Sequence, residues 1–169
     1  MIIIYLGKQK GELLMNNTIS VLNQTVADLY TARIALHQLH WYMRGAGFMV
    51  WHPKMDKYMD AIDGTLDEMS ERLITLGGQP YSTLTEFLQH SKIEELPGQF
   101  KSVEESLTRV IDIFSYLTEL FQAGLDVTDE EGDDVTNGLF ADAKGDFEKT
   151  IWMLSAELGL APQLANKEA

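Results

Sequence analysis

One histidine and five acidic residues recur in the sequence at intervals of four, four, three, four and four positions. Such intervals place side chains along one face of an α-helix. The six residues are His52, Asp56, Asp60, Asp63, Asp67 and Glu71. A solvated helix face usually mixes lysine and arginine with its acids, whereas this row holds no basic residue apart from the histidine. The row is therefore a candidate for binding divalent cations, with a solvated face as the alternative interpretation.

The sequence contains no cysteine, so its side chains can offer a metal only histidine, aspartate and glutamate. This ligand set suits hard or borderline metals, above all iron. His37 and His40 precede a turn at Gly45. If the helices on either side of that turn are antiparallel, His40 lies level with His52 and Asp56. These three side chains could then share a metal, whereas His37 is either a weaker extra ligand or a core histidine.

Asp67 and Glu71 cannot join that site within one subunit. They lie 15 and 19 residues beyond His52, which places them more than roughly 20 Å away along the helix axis. Either both carboxylates are unrelated to the site, or they come from a second copy of the chain. An antiparallel two-fold dimer would carry them to the other chain's histidines, because a two-fold interface is self-complementary. Two equivalent metal sites per dimer would result.

Apolar residues at helical spacing predict four long helices that position these side chains. The predicted helices cover residues 18–43, 52–76 and 102–126, and a fourth runs from the acidic segment 126–134 to about residue 158. Pro53 is expected in the first turn of the second helix, where a missing N–H is tolerated. Thr83 and Glu86 form a capping-box pattern that predicts a short helix ending near His90. The fold class indicated is all-α, a four-helix bundle with a short extra helix in the long connection between the second and third helices.

The chain of 169 residues is long enough for one domain with a core. We expect residues 15–169 to form it and residues 1–14, which fit the helical pattern poorly, to be a disordered extension or an artefact. No apolar stretch approaches the roughly 20 residues of a membrane span, and the first six residues lack the features of a secretory signal. A cytoplasmic location is expected. The formal net charge of −13 repels phosphate and concentrates cations, although such charge also serves solubility.

The segments HWYMRG, HPKMD and LDEMSERL resemble the Dps-like miniferritins of the ferritin superfamily, and the resemblance extends over residues 21–162. It implies an intersubunit ferroxidase centre in a hollow shell of twelve subunits, a dodecamer built from two-fold dimers that stores ferric mineral. The implied reaction oxidises pairs of Fe(II) ions with hydrogen peroxide, or more slowly with dioxygen, and so protects against oxidative stress. The implied ligands are His40, His52 and Asp56 from one subunit with Asp67 and Glu71 from its two-fold mate. Asp60 and Asp63 either help to nucleate the mineral or serve solvation and helix pairing.

The same resemblance implies roles for two tryptophans. Trp41 and Trp152 correspond to aromatic residues near the metal centre of the family, where they supply or absorb an electron. For an isolated tryptophan, packing in the core is the alternative interpretation.

Six of the nine residues in the acidic segment 126–134 carry carboxylates. The segment TDEEGDDVTN matches the three-fold pore that draws iron into Dps-like shells, and the match points to Asp129 and Asp134. The alternative is that these acids stabilise the positive end of the fourth helix. Gly138 departs from the family pattern, in which relatives often carry another carboxylate, so we expect a pore that is less charged or wider.

Two other functions stay open. Some members of the family coat DNA through lysine-rich tails, but here the ends of the chain offer only Lys8, Lys10 and Lys167, and the net charge opposes binding. A structural helical oligomer would leave the acidic row without a metal. A classical ferritin or di-iron oxygenase would carry Glu-x-x-His pairs on two helices, and the sequence has none.

Overall fold

The structure, a computed structural model, describes residues 16–161, so the expectation for residues 1–14 lies outside the described residues. The helices are α1 (Asn16–Tyr42), α2 (Phe48–Thr75), α3 (Leu84–His90), α4 (Val103–Glu131) and α5 (Asp134–Glu157). Two short strands, β1 (Met43–Arg44) and β2 (Lys101–Ser102), pair in parallel and join the α1–α2 turn to the start of α4. The predicted all-α fold, with four long helices and a short one in the long connection, is confirmed.

The helices pack around one apolar core, in which α1 contacts α2 and α4, and α4 contacts α5. Each long helix contributes residues at helical spacing, as expected for an amphipathic helix that buries one face. The largest fully buried side chains are Leu22, Leu29 and Leu36 of α1, Met55, Ile62, Met69 and Leu73 of α2, Leu107, Leu117 and Phe121 of α4, and Phe140 and Leu154 of α5. In the described part of the chain, no helix is long and apolar enough to cross a membrane.

The second helix begins earlier than predicted, at Phe48, because Gly47 takes a positive φ of 85° and starts the helix there. Pro53 is consequently the sixth residue of α2, and its expected place in the first turn is wrong. The extra turn is stabilised by Trp51, which is 4% exposed and donates from Nε1 to Glu157 Oε1 at 3.2 Å. Pro53 removes the helical donor for the carbonyl of Met49, but that residue is 83% exposed and therefore accessible to water.

The third long helix extends further than predicted, to Glu131, and ends where Gly132 adopts a φ of 69°. Most of the acidic segment therefore lies in the last turns of α4 rather than at the start of the fourth helix. The interpretation that these acids stabilise a helix N-terminus holds only for Asp133, the N-cap of α5, and Asp134, its first residue.

The long connection is held to α1 by a buried aspartate that the sequence analysis did not single out. Asp28 is fully buried and accepts hydrogen bonds from Ser91 Oγ at 2.8 Å and from the Lys92 backbone N–H at 2.6 Å. Gln24 Nε2 and the hydroxyl of Tyr116 donate to its other oxygen at 2.8 and 2.6 Å. Burial, together with the bond to Asp28, raises the pKa of the Tyr116 hydroxyl. The predicted capping box at Thr83 and Glu86 is confirmed.

Candidate metal centre

The last turn of α1 and the second turn of α2 bring His40 and His52 into direct contact. Their rings stack with centroids 3.7 Å apart. His40 Nδ1 lies 2.9 Å from the carbonyl oxygen of His52, and His52 Nδ1 lies 3.0 Å from the carbonyl oxygen of His40. A carbonyl oxygen can only accept, so each Nδ1 must carry the hydrogen. In the neutral ring, Nε2 is then left with a lone pair, which is the arrangement a metal-binding histidine requires.

Asp56 lies one helical turn after His52, and its Oδ1 is 3.5 Å from His40 Nδ1. The carboxylate is largely exposed, with 58% of its side chain accessible, whereas the His40 side chain is 12% exposed. The predicted level of His40 with His52 and Asp56 is therefore confirmed. The three side chains form a cluster that is buried on its protein side and open outward at the carboxylate.

The other two predicted ligands are not part of this cluster. Asp67 and Glu71 are exposed on α2, 11 and 15 residues beyond Asp56, or roughly 16 to 23 Å along the helix. Among residues 16–161 of the single chain, no group of three histidine, aspartate or glutamate side chains is arranged to hold a metal ion, and this includes His40, His52 and Asp56. One chain thus presents two separated parts of the predicted ligand set, and their meeting across a dimer stays a prediction.

Both predicted redox tryptophans lie on the surface of the single chain. Trp41 is 63% exposed and Trp152 is 50% exposed, so core packing is the wrong interpretation of each. His37 is only partly buried and packs against Trp41, with ring centroids 4.1 Å apart and the His40 ring 6.0 Å away. The core interpretation of His37 is therefore also wrong. It links the exposed indole to the histidine pair.

The remaining acids of the row have different surroundings. Asp63 accepts from Arg33 Nε at 2.6 Å and so joins α2 to α1. This hydrogen bond raises the pKa of the Arg33 guanidinium. Helix pairing is thus the confirmed interpretation for Asp63, whereas Asp60 is exposed. Outside the centre, His90 stacks on Tyr81 in the long connection, with ring centroids 4.1 Å apart.

Within the acidic segment, two carboxylates accept hydrogen bonds from other parts of the bundle. Glu131 accepts from the backbone N–H groups of Asn17 and Thr18 at 3.2 and 3.0 Å, and from the Thr18 hydroxyl at 2.6 Å. It therefore satisfies donors at the N-terminus of α1. Asp133 is buried between Arg72 and Thr136. Neither role was found from the sequence, because the Glu131 and Arg72 contacts join residues 113 and 61 positions apart.

Asp129, Glu130 and Asp134 are the exposed carboxylates at this corner of the bundle, together with Asp126. Both predicted pore residues, Asp129 and Asp134, are thus on the surface. Gly138 is exposed one turn beyond Asp134, and a Cβ added there would meet nothing within 4 Å. The structure therefore leaves room at position 138 for the side chain that the sequence lacks.

Burial acts on the pKa of Asp133 in the opposite direction from charge and hydrogen bonding. Its burial alone would raise the pKa of the carboxyl, but the hydroxyl and N–H of Thr136 and the Arg72 guanidinium outweigh this effect. The pKa of Asp133 is lowered as a result, and the carboxylate is held ionised. The spacing of Asp133 and Thr136 is typical of an N-cap, so this part of the role of Asp133 could be predicted from the sequence.

Comparison with known proteins places these features in one family. Residues 19–164 match the ferritin family, described as a ferritin-like domain. The DNA protection during starvation protein of Streptococcus suis is 63% identical over 146 residues, which cover 86% of this chain and 85% of that one. The structure of Dps from Listeria innocua soaked with zinc is 40% identical and superposes with a TM-score of 0.83, covering 86% of this chain and 98% of the other. A third structure is a Listeria innocua Dps variant with two histidines, twelve positions apart, replaced by glycine. It is 38% identical with a TM-score of 0.83, and the match covers 86% of this chain and 96% of that one.

Proposed function

Because the chain belongs to the ferritin-like family and is a Dps-like miniferritin, we propose that it oxidises Fe(II) at intersubunit sites and stores the ferric product in a hollow dodecamer. The observation that carries this proposal is the reciprocal pair of His40 and His52. The Nδ1 hydrogens of both imidazoles are engaged by backbone carbonyls, which leaves the Nε2 atoms free to bind metal, and the Asp56 carboxylate lies 3.5 Å from His40 Nδ1. The same spacing of twelve separates the two histidines replaced in the Listeria protein.

The complete site is formed by two chains. His40, His52 and Asp56 belong to one subunit, and Asp67 and Glu71 reach it from the two-fold mate. The exposure of Asp67 and Glu71 and their distance from the cluster in their own chain support this arrangement. Three carboxylates with two neutral imidazoles offset much of the charge of two ferrous ions and leave coordination positions for the oxidant.

The reaction takes one electron from each of two Fe(II) ions. Hydrogen peroxide accepts both electrons and two protons, its O–O bond breaks, and two water molecules form with two Fe(III) ions. Since both electrons arrive together, the hydroxyl radical of a one-electron step is avoided. Trp41 is next to His40 in sequence and in contact with His37, so it is the side chain that supplies or absorbs an electron when iron arrives singly. Trp152 has the same role from α5.

Iron reaches the site through pores lined by Asp129 and Asp134. Both are exposed at the junction of α4 and α5, and the net charge of −13 draws cations toward the shell. The ferric product collects inside as mineral. The protein thereby removes both reactants of damaging iron–peroxide chemistry, which is the basis of its role in oxidative stress.

The decisive experiment compares the wild type with Asp67→Ala plus Glu71→Ala under anaerobic addition of hydrogen peroxide to Fe(II). We expect the wild type to be a large shell that consumes about one peroxide per two Fe(II) ions. The double variant should keep the native mass of the shell and oxidise iron slowly. Glu104→Ala plus Asp112→Ala removes two exposed carboxylates from α4 and should match the wild type. Equal oxidation by all three proteins, or a monomeric wild type, contradicts the proposal.

DNA coating is the second candidate, favoured by the name of the Streptococcus suis relative, DNA protection during starvation protein. The charge of this chain opposes it, since 26 acidic residues stand against 13 basic ones. We expect no retardation of duplex DNA in a gel at low salt, where electrostatic binding is strongest. Retardation that disappears as salt is raised would establish DNA binding instead.

A further inference from the structure

Arg72 connects the two regions to which the proposed function assigns iron chemistry. It follows Glu71 directly on α2, and its guanidinium reaches the start of α5. Nη2 donates to Asp133 Oδ1 at 2.7 Å, and Nε donates to Thr136 Oγ1 at 2.8 Å. The ion pair is largely buried, with 20% of the Arg72 side chain and 5% of the Asp133 side chain exposed.

We propose that Arg72 is a positioning residue that aligns the pore carboxylates with the partner-facing end of α2, so that iron uptake and iron oxidation depend on one buried contact. This inference rests on the proposed function, because it assumes that Glu71 serves the oxidation centre and Asp134 the pore. It assigns a positioning role to Arg72, Asp133 and Thr136, although none of them is a proposed metal ligand.

Hydrogen bonds hold the α4–α5 turn together, and Arg72 joins this turn to α2. The Asp133 N–H donates to the Thr128 carbonyl at 2.9 Å. Asn137 Nδ2 donates to the Leu125 carbonyl and to Thr128 Oγ1, both at 2.9 Å. A displacement of Asp133 would therefore carry the whole turn, including the exposed Asp134, with it.

Few other hydrogen bonds join α2 and α5. Within residues 16–161, hydrogen bonds join the two helices only near their ends, at Trp51 with Glu157 and at Arg72. Between these ends lies a cleft of about 250 Å³, lined by residues that include Gly64, Glu68 and Phe147. Arg72 is therefore the polar contact that joins the N-terminus of α5 to α2 next to Glu71.

The chemistry of arginine suits this position. A guanidinium offers donors in a fixed planar fork, so one side chain can engage a carboxylate and a hydroxyl at the same time. Its charge also balances Asp133 beside the exposed carboxylates Asp129 and Asp134, where an unpaired buried carboxylate would be costly. Lysine has a single nitrogen on a flexible stem and cannot reproduce both contacts in this geometry.

The test measures the initial rate of Fe(II) oxidation by peroxide against iron concentration in the assembled protein, with native mass as the check on assembly. Arg72→Gln should raise the KM for iron and lower kcat together, each by about fivefold or more, because small misplacements at a site have large effects on rate. Arg72→Lys should restore these values only in part. Asp134→Asn should raise KM alone, and Glu71→Ala should lower kcat, so the two regions can be read separately.

Arg33→Gln is the matched control, because the Arg33–Asp63 pair is also a short contact from α2 to another helix but joins α2 to α1 and does not involve α5. It should leave KM and kcat within about twofold of the wild type. Thr136→Val, which keeps the shape of the buried side chain and the ion pair, decides the question if Arg72→Gln does not assemble. It should shift KM and kcat in the same directions as expected for Arg72→Gln, and Thr136→Ser should restore both.

The outcomes separate this inference from the proposed function. If the wild type oxidises iron and Asp134→Asn raises KM, but assembled Arg72→Gln or Thr136→Val keeps wild-type kcat and KM, the inference is overturned while the function stands. If the wild type does not oxidise iron, or Glu71→Ala has no effect, the function fails and the inference fails with it. Joint changes in KM and kcat, with Arg33→Gln unaffected, establish the coupling.

Discussion

His40 and His52 hold each other's rings through their backbones, since the Nδ1 atom of each lies within 3.0 Å of the other's carbonyl oxygen. The two residues are twelve positions apart and belong to different helices. Because the acceptors are main-chain atoms, the orientation of either ring does not require the other side chain. The short turn between α1 and α2 therefore fixes two potential ligands before any metal arrives.

The first prediction concerns the tautomers of these histidines. In the metal-free protein, we expect the neutral form of both rings to carry its hydrogen on Nδ1 and a lone pair on Nε2, because a carbonyl cannot donate. Nitrogen-15 chemical shifts of histidine-labelled protein distinguish the two nitrogens directly. His90 is an internal reference, since it is exposed and its ring stacks on Tyr81. A neutral ring with its only hydrogen on Nε2, at either His40 or His52, is incompatible with the geometry described.

The second prediction concerns acid stability at Asp133. Because its folded pKa is lowered, its contribution to stability is fully present above the unfolded value of about 3.9 and is lost as pH falls through the folded pKa. Asp133→Asn keeps an N-cap but leaves Arg72 without its counter-charge, so it should cost about 2 kcal/mol at pH 7.

Urea unfolding at fixed protein concentration measures this effect. The difference between wild type and Asp133→Asn should shrink as pH is lowered below about 4. Asp134→Asn removes an exposed carboxylate from the neighbouring position and is the control, with little expected change. A difference that does not depend on pH would mean that the ionised carboxylate is not the source of the stability.

The sequence predicts the periodic features of this protein well and its long-range polar contacts poorly. Apolar spacing predicts four long helices because burial of one face repeats every turn. It also places His40 level with His52, because a short turn forces an antiparallel pair. The predicted end of α4, near residue 126, falls short of Glu131 because an acidic segment normally favours a helix N-terminus. Here Glu131 instead satisfies donors at the start of α1, 113 positions away, which no local pattern can reveal.

The third prediction concerns the anchor of the long connection. Asp28→Asn replaces an oxygen that accepts hydrogen bonds with an amide that donates, although Gln24, Ser91, Lys92 and Tyr116 all present donors. The unfolding free energy should fall by about 2 to 3 kcal/mol. Tyr116→Phe removes one donor and should cost about 1 kcal/mol.

Limited proteolysis gives the location of this effect. Because Asp28 holds Ser91 and Lys92 to α1, cleavage in Asp28→Asn should appear first between residues 79 and 100. Cleavage distributed evenly over the chain would instead indicate global destabilisation. It would contradict a specific role of Asp28 in holding the connection.

The fourth prediction compares two helical glycines with opposite surroundings. A Cβ at Gly124 would lie 2.6 Å from the fully buried ring of Phe140, whereas a Cβ at Gly138 meets nothing within 4 Å. Gly124→Ala should therefore destabilise the protein by about 1 to 3 kcal/mol through overpacking of α4 against α5. Gly138→Ala should stabilise it by about 0.5 to 1 kcal/mol, because alanine favours a helix interior over glycine. Paired urea unfolding curves test both signs.

The open position at Gly138 also permits a direct test of the pore. Gly138→Asp places a carboxylate one helical turn beyond Asp134 on an exposed face, and it should lower the KM for Fe(II) by about two- to fivefold through local attraction of cations. Gly138→Asn, which has the same shape without the charge, should leave KM unchanged. Because exposed charges are screened by salt, the advantage of the aspartate should decline as ionic strength is raised above about 0.15 M. If Gly138→Asp and Gly138→Asn give the same KM at low salt, iron does not pass this corner of the bundle, and the pore assignment of Asp129 and Asp134 is wrong.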